Sequence, residues 1–318
     1  MSSASRSVAT PTSFVREDGV ELRIVEGFRD RVRAAPRRSV QPKAEWTDAD
    51  YEAAVEKKLL QSRNLLGELE RWGGSLDGAS VLEVGCGAGI DSLLFGLHPV
   101  ERVVGIDLEF PLDLPDDRGE RTRHLTRRVL EQVGVKGGPD AVLRERPVRY
   151  LPMNATRMRF PDASFDLIVS RATLEHVMPI DEALDELARV VRPGGLLRHA
   201  IDPFFWLKGC HKRGVVDLPW AHARLSASEF HRFVTETEGE DKAERRSRHL
   251  LTLNQLGLRQ WRDRFEAGPF EILDWREEPS ALAQTLLDEN PDVPETVLDA
   301  VTERDLVSCS IKVWLRRR

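Results

Sequence analysis

From Tyr51 onward, apolar or small positions recur at steps of three and four, through Val55, Leu59, Ser62, Leu66 and Leu69. That spacing lays one face along a helix about six turns long. Thr47 stands as its N-cap, with Asp50 three residues on in a capping-box arrangement, and Gly73-Gly74 stops it. The period then changes. Val81–Val84, Arg102–Asp107, Val148–Leu151, Phe165–Ser170 and Leu196–Ile201 are short apolar runs rich in β-branched residues, and each reads as a strand. Helical spacing lies between them, as in Leu125, Val129 and Val133 before Gly134. It recurs in Ala183, Leu184, Leu187 and Val191, capped by Asp181 and ended by Pro193-Gly194-Gly195. Strands alternating with helices predict a parallel sheet covered on both faces.

Two regions depart from that alternation. Residues 1–45 show no sustained period and carry Pro11, Pro36 and Pro42, so they read as a flexible or loosely docked arm. About forty residues separate Asp107 from the strand at Val148, more than one crossover helix requires; the excess is a lid or a surface insertion. After Asp202 the segment from Pro203 to about Leu225 is rich in aromatics and histidine without a clear period. Ser226-x-x-Glu229 opens a short helix with Phe230, Phe233 and Val234, residues 236–249 are charged, and another helix bears Leu258, Trp261 and Phe265. Phe270–Trp275 reads as a strand, with short helical stretches near Pro279 and Pro294. The last strand alternates, Val307, Cys309, Ile311, Val313 and Leu315 against Ser308, Ser310 and Lys312, which predicts an antiparallel member with one wet face. The resulting division is an arm over 1–45 and one domain over 46–318. Within it lie an N-terminal helix (46–74), a ligand-binding core (79–203), a cap (204–268) and C-terminal strands (269–318).

Composition narrows the classes. The chain has 318 residues, 41% hydrophobic and 31% charged, with a formal net charge of −6. It can bury a core, and no run approaches the roughly 18–20 apolar residues of a membrane span. Net acidity counts against a general nucleic-acid binder, although basic residues cluster at Arg29–Arg38 and Arg316–Arg318. Cys86, Cys210 and Cys309 lie far apart without a zinc-type spacing, and Met1–Pro11 lacks the apolar core of a secretory signal. A reduced, cytoplasmic protein is expected, with its oligomeric state open.

The candidate chemistry starts at the turn after the first core strand. Gly85-x-Gly87-x-Gly89 lacks the sixth-position glycine of a dinucleotide turn, whose role is to admit a pyrophosphate. Asp107 closes the second core strand, where a carboxylate accepts two ribose hydroxyls. Glu83 adds a carboxylate two residues before the first glycine. A ligand with a ribose and a cationic amino group but no pyrophosphate suits this layout, and S-adenosylmethionine is such a ligand.

The chain here resembles the class I S-adenosylmethionine-dependent methyltransferases, in particular the type 11 group. The resemblance rests on Leu82–Gly89, Val104–Asp107, Met153-Asn154-Ala155 with Phe160–Asp166, Leu174–Val177 and Leu187–Leu196, in the family's order over about residues 79–203. It implies a doubly wound, mostly parallel seven-stranded sheet of order 3-2-1-4-5-7-6 with the seventh strand antiparallel. It also implies a cofactor set: Glu83 at the methionine end, Gly85, Cys86, Gly87 and Gly89 along the turn, Asp107 and Leu108 at the ribose, Asn154 and Ala155 at the adenine, and the Ser170 carbonyl at the amino group. Cys86 reads equally as a small buried filler, and Asn154 as a turn residue where the family commonly has Asp.

Methyl transfer to oxygen or nitrogen often needs a base. His176 lies in the matched Leu174–Val177 stretch, and its other reading is a helix-start residue. His211 and His222 lie in the aromatic segment after the fifth core strand, whose wording resembles one subset of the family. Phe204, Phe205, Trp206 and Trp220 there line an apolar substrate pocket or pack a lid on itself. Asp202, His211 and His222 match no familiar metal spacing, and no metal is expected. No Asn/Asp-Pro-Pro-aromatic stretch follows the fourth core strand, which tells against methylation of nucleic-acid bases. A small-molecule acceptor methylated at oxygen is the expectation. A sugar or glycan methyltransferase and a catalytically silent cofactor-binding protein are its rivals.

Overall fold

The computed structural model describes residues 11–34 and 46–318, in two compact units. The second unit, residues 37–201, 261–276 and 311–318, carries the parallel sheet. Its entry helix α1 (Asp48–Arg71) begins with the expected capping box, Thr47 and Asp50 each accepting from the other's backbone. Then follow β1 (Ser80–Val84), α2 (Ile90–Phe95), β2 (Arg102–Asp107), α3 (Asp117–Gln132), α4 (Gly138–Glu145), β3 (Val148–Pro152), β4 (Phe165–Arg171), α5 (Ile180–Val190) and β5 (Val191–Ile201). Two later strands, β6 (Phe270–Pro279) and β7 (Ser308–Arg317), complete the sheet in the order β3-β2-β1-β4-β5-β7-β6. That is the expected order. β1 through β5 pair in parallel and β7 pairs antiparallel with β5.

The order matters because β1 and β4 are parallel neighbours, in register from Val81↔Leu167 to Val84↔Ser170. Their C-terminal ends therefore open side by side, the place where open α/β sheets bind ligands. Val81, Leu82, Val103, Ile106, Leu167 and Ile168 are buried, so the ends are held by a core covered on both faces.

Several expectations need correction. The second face of β7 is mostly covered: Ser308, Ser310 and Trp314 are as buried as the apolar set, Lys312 is half-buried, and the Trp314 indole donates to Glu68 of α1 at 2.9 Å. Polar residues mark a wet face only where nothing covers it, and here α1 supplies a carboxylate to Trp314. α5 is capped from Pro179, with Asp181 in its first turn. β5 starts at Val191, directly after α5; its register jumps from Phe165↔Val191 to Leu167↔Leu196, so Pro193-Gly194-Gly195 is an irregularity within the strand and not a stop before it. The long β2-to-β3 connection holds two helices, α3 and α4.

The first unit combines residues up to 36 with 202–260 and 277–310. Residues 11–34 are not a loose arm. Ser13–Val15 pairs antiparallel with Glu21–Arg23, a helix spans Phe28–Ala34, and Phe14, Leu22, Phe28 and Val32 lie in this unit's core. The strands have three residues each, too short to show a period, and their apolar partners lie some two hundred positions away. Expectations for residues 1–10 and 35–45 fall outside the described residues. Ser226 and Glu229 form the expected capping box at the helix Ala227–Glu238, and Glu229 also accepts from the Glu17 backbone at 2.8 Å. Among the described residues no helix is long and apolar enough to cross a membrane.

Candidate active site

β1 delivers the glycine turn and β2 delivers Asp107 beside it. Asp107 Oδ2 accepts from the Gly87 backbone at 2.7 Å and Oδ1 from Leu108 at 2.7 Å, so the carboxylate is fixed before any ligand arrives. Gly85 has φ +69°, and a Cβ there would fall 2.2 Å from the Thr173 side chain, so the loop after β4 packs directly on the turn. Gly87 has φ +50°, and a Cβ there would meet nothing within 4 Å. That open space belongs to a cavity of about 590 Å³. Gly85, Cys86 and Gly87 line it, as do Asp107 and Leu108, Asn154 and Ala155, and His176. Thr122 and Leu125 of α3 line it too, so the long connection supplies wall and not only surface.

The remaining residues of the expected set sit behind this wall. Glu83 is buried, and its Oε2 accepts from the Ser92 backbone at 2.8 Å and from the Ser92 hydroxyl at 2.5 Å. Burial, reinforced by Asp91, pushes its carboxyl up to about 8, so it is neutral at pH 7. Gly89 accepts from the Tyr150 hydroxyl at 2.7 Å. The Ser170 hydroxyl bonds His199 Nδ1 at 2.7 Å, and burial lowers His199 to about 3, so that ring is neutral. Burial raises the Cys86 thiol well above its ordinary value, which makes it an inert filler. Asn154 Oδ1 already accepts from the Thr156 backbone at 2.9 Å and retains a second lone pair for a ligand.

The three candidate histidines separate. His176 lines the cavity. His222 belongs to the first unit, where it is buried, its Nε2 bonds the Trp206 carbonyl at 3.1 Å, and burial lowers it to about 4. His211 is also in the first unit, at φ +55°, with its ring 5.8 Å from that of His249. Phe204, Phe205, Trp206 and Trp220 are likewise part of that unit's core. The aromatic segment is core in this structure. Lone clusters of aromatics look alike in sequence whether they line a pocket or fill one.

Three charged residues were not legible in the sequence. Lys58 of α1 and Arg171 at the end of β4 both line the cavity. Each faces the Asp91 carboxylate, at 4.0 Å and 3.2 Å. Burial opposes ionisation of Asp91, but Lys58 and Arg171 outweigh it and hold the carboxyl below its ordinary range. Lys58 lies on a helix full of exposed charges, so nothing in its local sequence distinguishes it.

Residues 82–198 match the sequence profile of a methyltransferase domain. The space beside Gly87, the pinned Asp107 and the 76% exposed Leu108 fit a flat base joined to a ribose. The same part of the chain is similar to curated proteins of two chemistries. A ubiquinone/menaquinone biosynthesis C-methyltransferase of Hydrogenovibrio crunogenus is 30% identical over 126 residues, covering 34% of this chain and 50% of that protein. A ubiquinone biosynthesis O-methyltransferase of Rhizobium rhizogenes is 29% identical over 126 residues, covering 38% and 40%. The chain thus spans about half or less of the length of these relatives. Among solved structures it is similar to a putative S-adenosylmethionine dependent methyltransferase from Listeria monocytogenes, 12% identical, with a TM-score of 0.45 over 79% of this chain and 97% of that one.

Proposed function

We propose that the protein is an S-adenosylmethionine-dependent methyltransferase acting on a small-molecule acceptor other than a nucleic acid. The observation that carries this reading is Asp107, its two oxygens held by Gly87 and Leu108 at the mouth of a cavity that the glycine turn leaves open. In that arrangement Asp107 accepts the ribose hydroxyls, the backbone at Gly87 passes close to the ligand, and Leu108 and Met178 give the base an apolar flank. Asn154 and Ala155 flank the adenine side. Glu83 supports the methionine end from behind, through the turn and not by contact. When bound, the cofactor supplies an electrophilic methyl group on sulfur. The chain's part is to align the acceptor in line with that methyl and to exclude water, which lowers the barrier by positioning.

Oxygen is the proposed acceptor atom, because His176 lines the same cavity and an acceptor hydroxyl must lose its proton. The relatives' names include both carbon and oxygen methylation, so the reading rests on His176 and not on them. The chain is proposed to work in the cytoplasm. In calorimetry S-adenosylhomocysteine binds the wild-type chain, and Asp107→Asn weakens it about ten- to hundredfold, the loss of charge-assisted hydrogen bonds. His176→Gln leaves that binding intact and slows transfer of label from S-adenosylmethionine to small molecules of a cell extract. Absence of binding of both S-adenosylmethionine and S-adenosylhomocysteine at high micromolar concentration would sink the reading.

A further inference from the structure

A group of cations in the first unit is gathered by backbone carbonyls and not by carboxylates. The helix Phe28–Ala34 carries Arg29 and Arg33 one turn apart, on one face. The Arg33 guanidinium donates to the Lys212 carbonyl at 3.0 Å. Arg246, on the helix Glu240–Leu250, donates to the carbonyls of Arg213 and Val215. These bonds hold the short helix His211–Gly214, and with it the exposed Lys212 and Arg213, beside both arginines. The carboxylates nearby are already engaged. Glu238 lies 3.2 Å from Arg29, 2.9 Å from Arg246 and 3.9 Å from Lys242, while Asp30 and Asp217 lie 3.8 Å and 4.0 Å from Arg29. Among the described residues no carboxylate lies within ion-pair distance of Arg33, Lys212 or Arg213. Burial, Arg246 and Arg29 oppose the charge on Arg33 and outweigh the more distant Asp30 and Glu238. Its Nε is buried and bonds nothing. Arg31 of the same helix, off that face, has its own partner in Glu289.

We propose that Arg33, Lys212, Arg213 and Arg246 form a binding site for the phosphoryl group of a small ligand. Guanidinium forks and an ammonium drawn from three helices suit a tetrahedral dianion, which accepts from several sides, better than a planar carboxylate with two oxygens. The carbonyls that hold Arg33 and Arg246 fix both side chains before a ligand arrives, so little ordering remains to oppose binding. A long polyanion fits less well. Glu240, Asp241 and Glu244 share the helix of Arg246, and the net charge of −6 repels a nucleic acid or an acidic chain that runs beyond the patch. All of these residues belong to the first unit, and the site does not depend on the methyltransferase reading.

The test is calorimetry on the full chain with pyrophosphate and with phenyl phosphate, at about 150 mM salt so that loose surface attraction is screened. At least one of the two binds the wild type, with a Kd of about 10–500 μM. Binding of both assigns the site to the phosphoryl group itself, and binding of the ester alone assigns it to a phosphorylated organic ligand. Arg33→Gln weakens that binding about tenfold or more, and Lys212→Gln and Arg213→Gln weaken it about three- to tenfold each. Lys212 and Arg213 join the patch through their backbone carbonyls, so these two variants keep the fold even if Arg33→Gln does not, and an unchanged melting temperature checks this. Arg31→Gln removes one positive charge from the same helix but outside the patch, and its binding stays within about twofold of the wild type. The proposal is overturned if neither phosphate binds the wild type at about 5 mM, or if Arg31→Gln weakens binding as much as Arg213→Gln does, which would mean general attraction to positive charge. It is also overturned, in favour of a macromolecular polyanion, if an oligouridylate or polyglutamate binds more tightly than either phosphate and Arg213→Gln abolishes that binding.

Discussion

Glu83 shows how far one residue's neighbourhood can displace its chemistry. As a carboxylate before the glycine turn it looks like a ligand contact, but the structure buries it against Ser92 and Asp91 and pushes it up to about 8. In the unfolded chain it ionises near 4.3, so between that pH and about 8 the folded state holds a proton that the unfolded state has released. The sign follows: Glu83 costs stability increasingly as pH rises through this window, by up to about 1 kcal/mol per pH unit, and the cost levels off above pH 8. Glu83→Gln removes the titration. Thermal unfolding of the wild type therefore shifts down between pH 5.5 and pH 8, and that of the variant loses this component. Parallel curves for the two proteins would refute the assignment. The glycines and Asp107 are legible in sequence because their role is imposed by the backbone of one turn. Lys58, Arg171 and Asp91 are not, because they meet only when α1, β4 and α2 pack together.

At the scale of elements, legibility follows length and local capping. β2 reads correctly from Arg102 to Asp107 because a β-branched run is bounded on both sides, and α1 because Thr47 and Asp50 announce its start. β7 reads correctly as an antiparallel strand and wrongly as half-exposed, since what covers its second face is not in its own sequence. Glu68 is the tie that shows this. Its carboxylate accepts from the Trp314 indole at 2.9 Å and from Arg276 at 2.5 Å, with Arg198 3.7 Å away. Burial opposes its ionisation, yet Arg276 and Trp314 hold it below its ordinary range. Glu68→Gln keeps an acceptor for the indole but leaves Arg198 and Arg276 facing an amide, at a cost of about 1–3 kcal/mol. Urea unfolding should show a lower midpoint with an unchanged slope. A midpoint equal to that of the wild type would mean that the two arginines find water instead.

On the scale of the whole molecule, the stretch whose sequence shows no pattern is among those that bind the chain together. Phe14, Leu22, Phe28 and Val32 enter the core of the first unit, where each buried side chain contributes about 1.5–3 kcal/mol. Their joint loss, about 6–12 kcal/mol, is comparable with the whole net stability of about 5–15 kcal/mol. A chain lacking residues 1–34 is predicted to lose the near-ultraviolet signal of the buried tryptophans and to aggregate on warming. A truncated protein melting within about 2 °C of the full chain would overturn this, since a change of 1 kcal/mol already moves a domain of this size by that amount. The hairpin was illegible for the reason that makes it matter: its partners are distant in sequence, so its apolar residues answer to no local period.

The interleaving of the two units has one more consequence, for synthesis. The first unit draws on residues up to 36, 202–260 and 277–310, and the sheet of the second takes β7 from Ser308 to Arg317. A ribosome makes Phe14 and Phe28 early and their last partners, such as Leu306 and Cys309, nearly three hundred residues later. At about 5–20 residues per second, those early aromatics wait tens of seconds without a core to enter. Neither unit can close while the ribosome is still short of residue 308. The yield of folded protein should therefore respond to the speed of translation as well as to the stability of either finished unit.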